Sequence, residues 1–134
     1  MILVDSSVWI DYFNGKKSWQ TNRLDNLLSE TPVLMGDLIL TEVLHGFKSD
    51  KDYRNARSYL SVLPFDQMGG YEIAVKSAQN YRRLRKKGVT VRKTIDIIIA
   101  TFCIENNHAL LHDDRDFDAM STHLALEVVT NFLP

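Results

Sequence analysis

The sequence contains one cysteine, three prolines and no long apolar stretch. Because Cys103 is alone, no disulfide forms within the chain, and its apolar helical surroundings predict a buried, unreactive thiol. No apolar run approaches the ~18 residues that a membrane-spanning helix needs. Asp5 and Asp11 interrupt the apolar beginning of the chain, which also lacks the basic first segment of a signal peptide. We therefore expect a cytoplasmic protein.

Nothing in the sequence divides it into parts. The 134 residues suffice for one domain with its own core, and 45% hydrophobic and 25% charged residues are ordinary for a globular protein. No repeat, low-complexity segment or linker is present, so we expect a single domain over residues 1–134.

Short apolar runs alternate with helical patterns along the chain. The runs are typical of central parallel strands and lie at 2–4, 32–36, 63–65, 108–112 and 126–129. The helical patterns cover 7–15, 19–30, 37–47, 49–63, 68–88 and 95–106. This alternation predicts a three-layer α/β/α sandwich around a central parallel sheet.

Small polar residues mark the predicted helix starts. Ser6 or Ser7 is placed to cap the first helix, Ser49 the fourth and Thr94 the last, while Gly15 is placed to end the first.

Acidic side chains recur near predicted strand ends. Asp5 ends the first strand, and Asp114 and Asp116 follow the strand at 108–112. Glu42 lies on the helix after the second strand, and Asp96 lies in the first turn of the most apolar helix. The carboxyl ends of parallel strands share one edge of the sheet, so we expect these acids to meet there.

Clustered carboxylates repel one another, and burying them is costly unless a cation compensates. Hard oxygen ligands suit Mg²⁺ or Mn²⁺, which activate water and stabilise phosphoryl transition states. Ser7 is placed to hydrogen-bond a ligand carboxylate. Each acid alone also has an ordinary explanation: Asp5 as a helix cap, Glu42 as a solvated residue, and Asp96 as a charge favoured by the helix dipole.

Positive charge is concentrated in one segment. Between Glu72 and Asp96 there is no acid, and the segment holds eight of the sixteen basic residues. A basic surface beside an acidic metal site suits a polyanionic substrate, although a solvated helix face is the usual reason for such a run. The candidate contacts to nucleic acid are Arg82, Arg85, Lys86, Arg92 and Lys93.

Other catalytic arrangements find no support. The four histidines lack zinc-ligand spacing and have no matching cysteines. There is no glycine-rich phosphate loop and no nucleophile elbow.

With these acids in view, the chain resembles the PIN-domain ribonucleases, and more narrowly the VapC-type toxins of toxin–antitoxin pairs. The similarity covers essentially the whole chain. The segments that carry it are VDSSVWIDYF, TEVLHG, GVTVRKTIDIIIA and LLHDDRDFDAM.

The resemblance implies a five-stranded parallel sheet and an endoribonuclease that depends on Mg²⁺ or Mn²⁺. It assigns metal binding and catalysis to Asp5, Glu42, Asp96 and a fourth acid. Either Asp114 or Asp116 supplies that fourth acid, so both are candidates. Ser7 and Thr94 are expected to orient these acids without binding the metal themselves. The implied partners are a VapB-type antitoxin, an RNA substrate and a second copy, with a heterotetramer or larger assembly when antitoxin is bound.

The predicted reaction is hydrolysis of RNA by metal-activated water, without a covalent intermediate. Asp5 and Asp96 are expected to hold the principal ion, and Glu42 with Asp114 or Asp116 to orient waters or hold a second ion. A flap-type DNA nuclease, a receiver-like phosphoryl-transfer domain and an acidic binding module remain as alternatives. The apolar residues Trp9, Tyr12, Phe13 and Trp19 are candidates for partner contact or for ordinary core.

Overall fold

The computed structural model describes residues 1–131 and confirms the predicted alternation of strands and helices. The strands are β1 (Ile2–Val4), β2 (Val33–Gly36), β3 (Phe65–Asp66) and β4 (Ala109–Leu111). The helices are α1 (Ser6–Phe13), α2 (Trp19–Glu30), α3 (Asp37–Leu44), α4 (Asp50–Leu60), α5 (Tyr71–Lys86), α6 (Thr94–Glu105) and α7 (Asp118–Leu124). A 3₁₀ turn at Arg115–Phe117 leads into α7. Within residues 1–131, no helix is both long and apolar enough to cross a bilayer.

The four strands form one parallel sheet in the order β3-β2-β1-β4. The expected fifth strand at 126–129 is reduced to one parallel bridge between Leu110 and Val128. Backbone hydrogen bonds link the two segments there: Leu110 N donates to Glu127 O, and Val129 N donates to Leu110 O, both at 2.9 Å. The segment therefore lies beside β4 as predicted but pairs over a single residue.

Helices flank the sheet in two groups. In the first group, α1 contacts α2 and α3, and α3 contacts α4. In the other group, α5 packs against α6 and α7, and α6 packs on β4. The α/β/α architecture is thus confirmed. Helix α6 is buried along most of its length, as its apolar sequence predicts.

The core contains the residues that the strand patterns indicate. Leu3, Val4, Leu110 and Leu111 have no exposed surface. Cys103 is also fully buried, as predicted, and this burial raises the pKa of its thiol to about 12, which disfavours the reactive thiolate.

The helix starts differ from the predictions in two places. Asp5 caps α1, because its side chain accepts a hydrogen bond from Ser7 N, so the prediction of Ser6 or Ser7 as the cap is wrong. Ser49 caps α4 as predicted, accepting from Asp52 N. Thr94 is the first residue inside α6 rather than its cap, and the preceding Lys93 makes no side-chain capping bond.

The junction between β2 and α3 depends on Gly36. A Cβ atom there would lie 2.1 Å from Sδ of the fully buried Met68. The Asp37 carboxylate accepts hydrogen bonds from the backbone N–H groups of Leu38 and Met68. These contacts fix the start of α3, the helix that carries Glu42.

Candidate metal centre

The sheet register brings Asp5 beside the segment that carries Asp114 and Asp116. Val4 of β1 pairs with Leu111 of β4, and Asp5 N donates to Leu111 O at 2.9 Å. Both strands end at the same level, so their following residues meet at the carboxyl edge of the sheet.

Three carboxylates form the centre of the site. One oxygen from each of Asp96, Asp114 and Asp116 lies within 4.8 Å of the others. Asp96 is 4% exposed, and its neighbours are partly buried. Asp114 and Asp116 are both present, so the geometry does not choose between the two alternatives for the fourth acid. Asp5 and Glu42 lie outside this group of three.

Asp5 is held firmly in place by Ser7. The Ser7 hydroxyl donates to Asp5 Oδ2 at 2.6 Å, and Ser7 N donates to the same oxygen at 3.1 Å. The Ser7 hydroxyl also accepts a hydrogen bond from Asp113 N at 3.1 Å. Ser7 therefore connects the end of β1 to the end of β4, and its contact with a site carboxylate agrees with the sequence prediction.

Ser6 is a site residue that the sequence did not reveal. Its hydroxyl donates to Glu42 Oε1 at 3.1 Å, which fixes the orientation of that side chain. The adjacent serines after Asp5 are the only signal in the sequence, which predicts a cap at either serine and a carboxylate contact for Ser7 alone. The two serines instead hold two different acids.

His112 is a second residue that sequence reasoning missed. Its Nδ1 accepts from Asp114 N at 3.2 Å, and Asp116 N then donates to Asp114 Oδ1 at 2.9 Å. The His112 ring packs 5.1 Å from the Phe117 ring, centre to centre. These contacts shape the turn that presents Asp114 and Asp116.

The site is electrostatically strained without a cation. Burial, opposed by the charge of Lys93, raises the pKa of Asp96 from 3.8 to about 6, and the negative charges of Asp5, Asp114 and Glu42 contribute. Burial likewise raises the pKa of Asp5. For Glu42, burial and the Asp5 charge raise the pKa. The mutual influence shows that the acids from all four sequence locations lie close enough to interact.

Two cations from the basic segment reach these acids. An Arg92 guanidinium nitrogen lies 2.8 Å from Asp116 Oδ1. Lys93 Nζ lies 3.6 Å from Asp114 Oδ2 and 4.0 Å from Asp96 Oδ2. Both cations are largely exposed, so these pairs add little to stability. They do neutralise part of the cluster.

Within residues 1–131, the other predicted basic contacts form no ion pair with these acids. Arg82 and Arg85 line a groove between α5 and α6, and Thr94 lies at the same groove. Lys86 is exposed in the last turn of α5. Within residues 1–131, no hydrogen bond joins Thr94 to a site carboxylate. The predicted role of Thr94 in supporting the acids therefore stays a prediction.

The donor set fits a hard divalent cation. Asp96 Oδ2 and Asp116 Oδ2 are buried and have no hydrogen-bond partner. Unpartnered buried carboxylate oxygens are costly, and a coordinated cation would satisfy them. The cluster consists of carboxylates without histidine or cysteine, which favours Mg²⁺ or Mn²⁺ over zinc.

The aromatic residues of the first helices divide between core and surface. Trp9 is fully buried, so it is core. Phe13 packs edge-on against Phe47 and Tyr59, and Tyr59 is 45% exposed. An aromatic cluster thus reaches the surface on the side of α1 and α4.

The fold and the acidic edge define the class of protein. A family model for the PIN domain matches residues 2–122. Among solved structures, VapBC2 from Rickettsia felis, bound to a DNA fragment from their promoter, superposes with a TM-score of 0.76. That match covers 96% of this chain and 98% of the other at 18% identity, so it supports the fold.

Sequence relatives narrow the assignment. A VapC ribonuclease of Mycobacterium bovis is 31% identical over 123 residues, covering 90% of this chain and 92% of that protein. Ribonuclease VapC11 of Mycobacterium tuberculosis matches with the same identity and coverage. The chain belongs to the PIN-domain family of VapC ribonucleases.

Proposed function

We propose that this protein is an endoribonuclease toxin that hydrolyses RNA phosphodiester bonds with the help of Mg²⁺ or Mn²⁺. The observation that carries the proposal is the group Asp96, Asp114 and Asp116, whose carboxylate oxygens converge and include two buried oxygens without a hydrogen-bond partner. Family membership among VapC ribonucleases supports the reaction class.

The residues have distinct tasks in this proposal. Asp96, Asp114 and Asp116 would hold the ion, with Asp5 and Glu42 completing the acidic shell. A bound divalent ion would supply a water of lowered pKa and offset charge that develops on the phosphate. Ser7 and Ser6 hold the Asp5 and Glu42 carboxylates in position. Lys93 is placed to exchange its contact with the acids for one with a substrate phosphate.

The partners follow from the same family and surfaces. We propose a VapB-type antitoxin, RNA as substrate, a homodimer with a larger complex when antitoxin is bound, and a cytoplasmic location. The Arg92–Asp116 pair supports the antitoxin contact, because it demonstrates that a guanidinium fits this acidic group. An arginine of a partner would occupy the same acids in a comparable way.

The Arg92–Asp116 pair also favours one alternative function, an acidic module that binds basic peptides without cleaving RNA.

An RNA cleavage assay distinguishes the ribonuclease from the binding module. With Mg²⁺ or Mn²⁺, the antitoxin-free protein is expected to cut a mixed tRNA pool into discrete fragments, and EDTA is expected to abolish the fragments. Cleavage that persists in EDTA would contradict metal dependence. Folded protein that binds Mn²⁺ but cleaves neither tRNA, ribosomal RNA nor mRNA would favour the binding module.

Replacing Ser7 with alanine is expected to lower cleavage by about 10- to 100-fold, as is typical when a group that orients a metal ligand is lost. The variant removes the 2.6 Å bond to Asp5 and frees Asp113 N. Cleavage rate and Mn²⁺ affinity by calorimetry are the measurements. Ser7→Thr retains the hydroxyl and is expected to recover most activity. A drop in melting temperature with unchanged Mn²⁺ affinity and cleavage would assign Ser7 a structural role only.

A further inference from the structure

A groove of about 470 Å³ lies between α5 and α6, separate from the acidic cluster. On α5 its wall is a single stripe of residues spaced three and four apart, which is one face of a helix. These residues are Ala74, Ser77, Ala78, Tyr81, Arg82 and Arg85. Thr94, Ile97 and Ile98 of α6 form the opposite wall with the same spacing. The groove exists because small side chains at 74, 77 and 78 leave the space between the helices unfilled.

The floor of the groove contains an unsatisfied polar group. Ser77 is 4% exposed, and its hydroxyl oxygen has no hydrogen-bond partner. A buried hydroxyl without a partner costs free energy, so it is normally paired within the protein or with a ligand. Because the Ser77 oxygen has almost no accessible surface, the part of the groove beside it offers a ligand an apolar wall.

The mouth of the groove is cationic and has a flat aromatic surface. The Arg85 guanidinium lies 5.8 Å from the centre of the Tyr81 ring. Arg82 is exposed one turn earlier on the same stripe. None of the described lining residues is acidic. Aromatic rings and guanidinium planes are the surfaces on which unstacked bases of single-stranded RNA pack, and cations hold the adjoining phosphates.

The groove adjoins the acidic cluster across the first turn of α6. Thr94, Ile97 and Ile98 lie on the groove side of that turn, and Asp96 lies on the opposite side. The two sites are thus separated by about the 10 Å diameter of a helix. A single strand covers that distance in roughly two or three nucleotides.

We propose that this groove binds an unstacked nucleobase of the RNA, a few nucleotides from the bond that is cut. The inference rests on the proposed ribonuclease function for the identity of the strand. The base enters between Tyr81 and the α6 isoleucines, and Arg82 and Arg85 hold flanking phosphates. Selection of particular RNAs then depends partly on which base occupies the groove.

A second copy of the chain is the competing occupant. A two-fold interface centred on this groove would bring the surface against itself, so that Arg82 and Arg85 approach their own counterparts. With no acid among the described lining residues, such contact lacks charge compensation. The charge of the groove favours a polyanion.

The test measures RNA binding in EDTA, where cleavage does not occur, by anisotropy of labelled 12-nucleotide single strands. One probe has a mixed sequence, and the other has the same backbone with abasic sites. Wild-type protein is expected to bind the mixed sequence roughly tenfold more tightly than the abasic strand, the range of one stacked base. Ala78→Trp fills the groove and is expected to remove this preference. Gln79→Trp, at the neighbouring exposed position outside the groove, is expected to retain it.

Equal affinity for the two strands, or no binding of either, on wild-type protein would overturn the proposal. So would a change from dimer to monomer in sedimentation caused by Ala78→Trp alone, because the groove would then be an interface between copies. Because binding is measured without catalysis, loss of base preference and loss of ribonuclease activity are independent results.

Tyr81→Leu decides the question if the tryptophan variant fails to fold. Leucine keeps an apolar side chain in the groove wall but removes the flat ring on which the base packs. The variant is expected to weaken binding of the mixed sequence by roughly three- to tenfold, with the abasic strand unaffected. Unchanged binding of both strands would contradict packing of a base on Tyr81.

Discussion

Replacing Asp96 with asparagine is expected to reduce RNA cleavage by about 10³-fold or more without disrupting the fold. Asp96 is the most buried member of the acidic group, and one of its oxygens is buried without a hydrogen-bond partner. The amide has nearly the same shape, but it lacks the charge that attracts a divalent ion. Because metal ions contribute several kcal/mol of charge stabilisation and each 1.36 kcal/mol is tenfold in rate, the loss is large.

A matched control is available in the same part of the chain. Asp118→Asn makes the identical chemical change at an exposed residue that begins α7, and it is expected to cleave RNA at close to the wild-type rate. The measurement is the initial rate of tRNA fragment formation with Mn²⁺ for both variants. Full activity of Asp96→Asn in protein free of other nucleases would contradict the proposed site.

The same substitution is expected to stabilise the metal-free protein, increasingly so as the pH rises. The pKa of Asp96 is raised to about 6 from 3.8, chiefly because the carboxyl is buried. A raised pKa means that the folded protein holds the proton more tightly than the unfolded chain. The resulting stability is fully present below about pH 4 and is lost as the pH rises through about 6. The shift corresponds to roughly 3 kcal/mol.

Urea unfolding in EDTA between pH 4 and 8 measures this effect. The free energies of unfolding of wild type and Asp96→Asn are expected to be similar near pH 4 and to differ by about 3 kcal/mol at pH 8, with the variant more stable. Groups that titrate equally in both proteins cancel in the difference. Asp118→Asn is expected to follow wild type throughout. A difference that does not change with pH would refute the assigned pKa.

Adding metal supplies a further check on the second prediction. An ion that binds only the folded state stabilises it by about 2.7 kcal/mol at one hundred times its dissociation constant. Mn²⁺ is expected to raise the stability of wild type at pH 8 and to have little effect on Asp96→Asn. Activity and stability should therefore respond in opposite directions to this one substitution.

Much of the fold was predictable because its signals are local. Continuous apolar runs predicted β1, β2 and β4, and the period of apolar residues predicted α2 with its observed bounds, Trp19–Glu30. Two features of the fold could not be predicted from local sequence: the extent of the fifth strand and the presence of α7. The segment at 126–129 has a strand-like pattern, yet only Val128 forms a bridge, since pairing depends on how closely the chain can lie along β4. Helix α7 was not predicted, because the acidic loop before it resembles an ordinary polar turn.

The candidate site shows the same division. The positions of Asp5, Glu42, Asp96, Asp114 and Asp116 were predicted from their places relative to strand ends. Asp5 caps α1 and is buried, so its explanation as a helix cap is confirmed, while metal binding by Asp5 stays a prediction. A local pattern predicts the cap because capping depends on neighbouring residues, whereas burial of the same side chain depends on the whole fold.

The sequence alone thus determined the layered architecture, the buried thiol and the candidate acids, since apolar periodicity and residue type act over a few positions. Only the tertiary structure decided which acids converge, that Ser6 holds Glu42 and that His112 supports Asp114. It also decided that Arg82 and Thr94 line a groove on the other side of α6 from Asp96. These contacts join residues through the register of β1 with β4 and the packing of α5 on α6, and hydrogen bonds and charges act only at the distances that this packing sets.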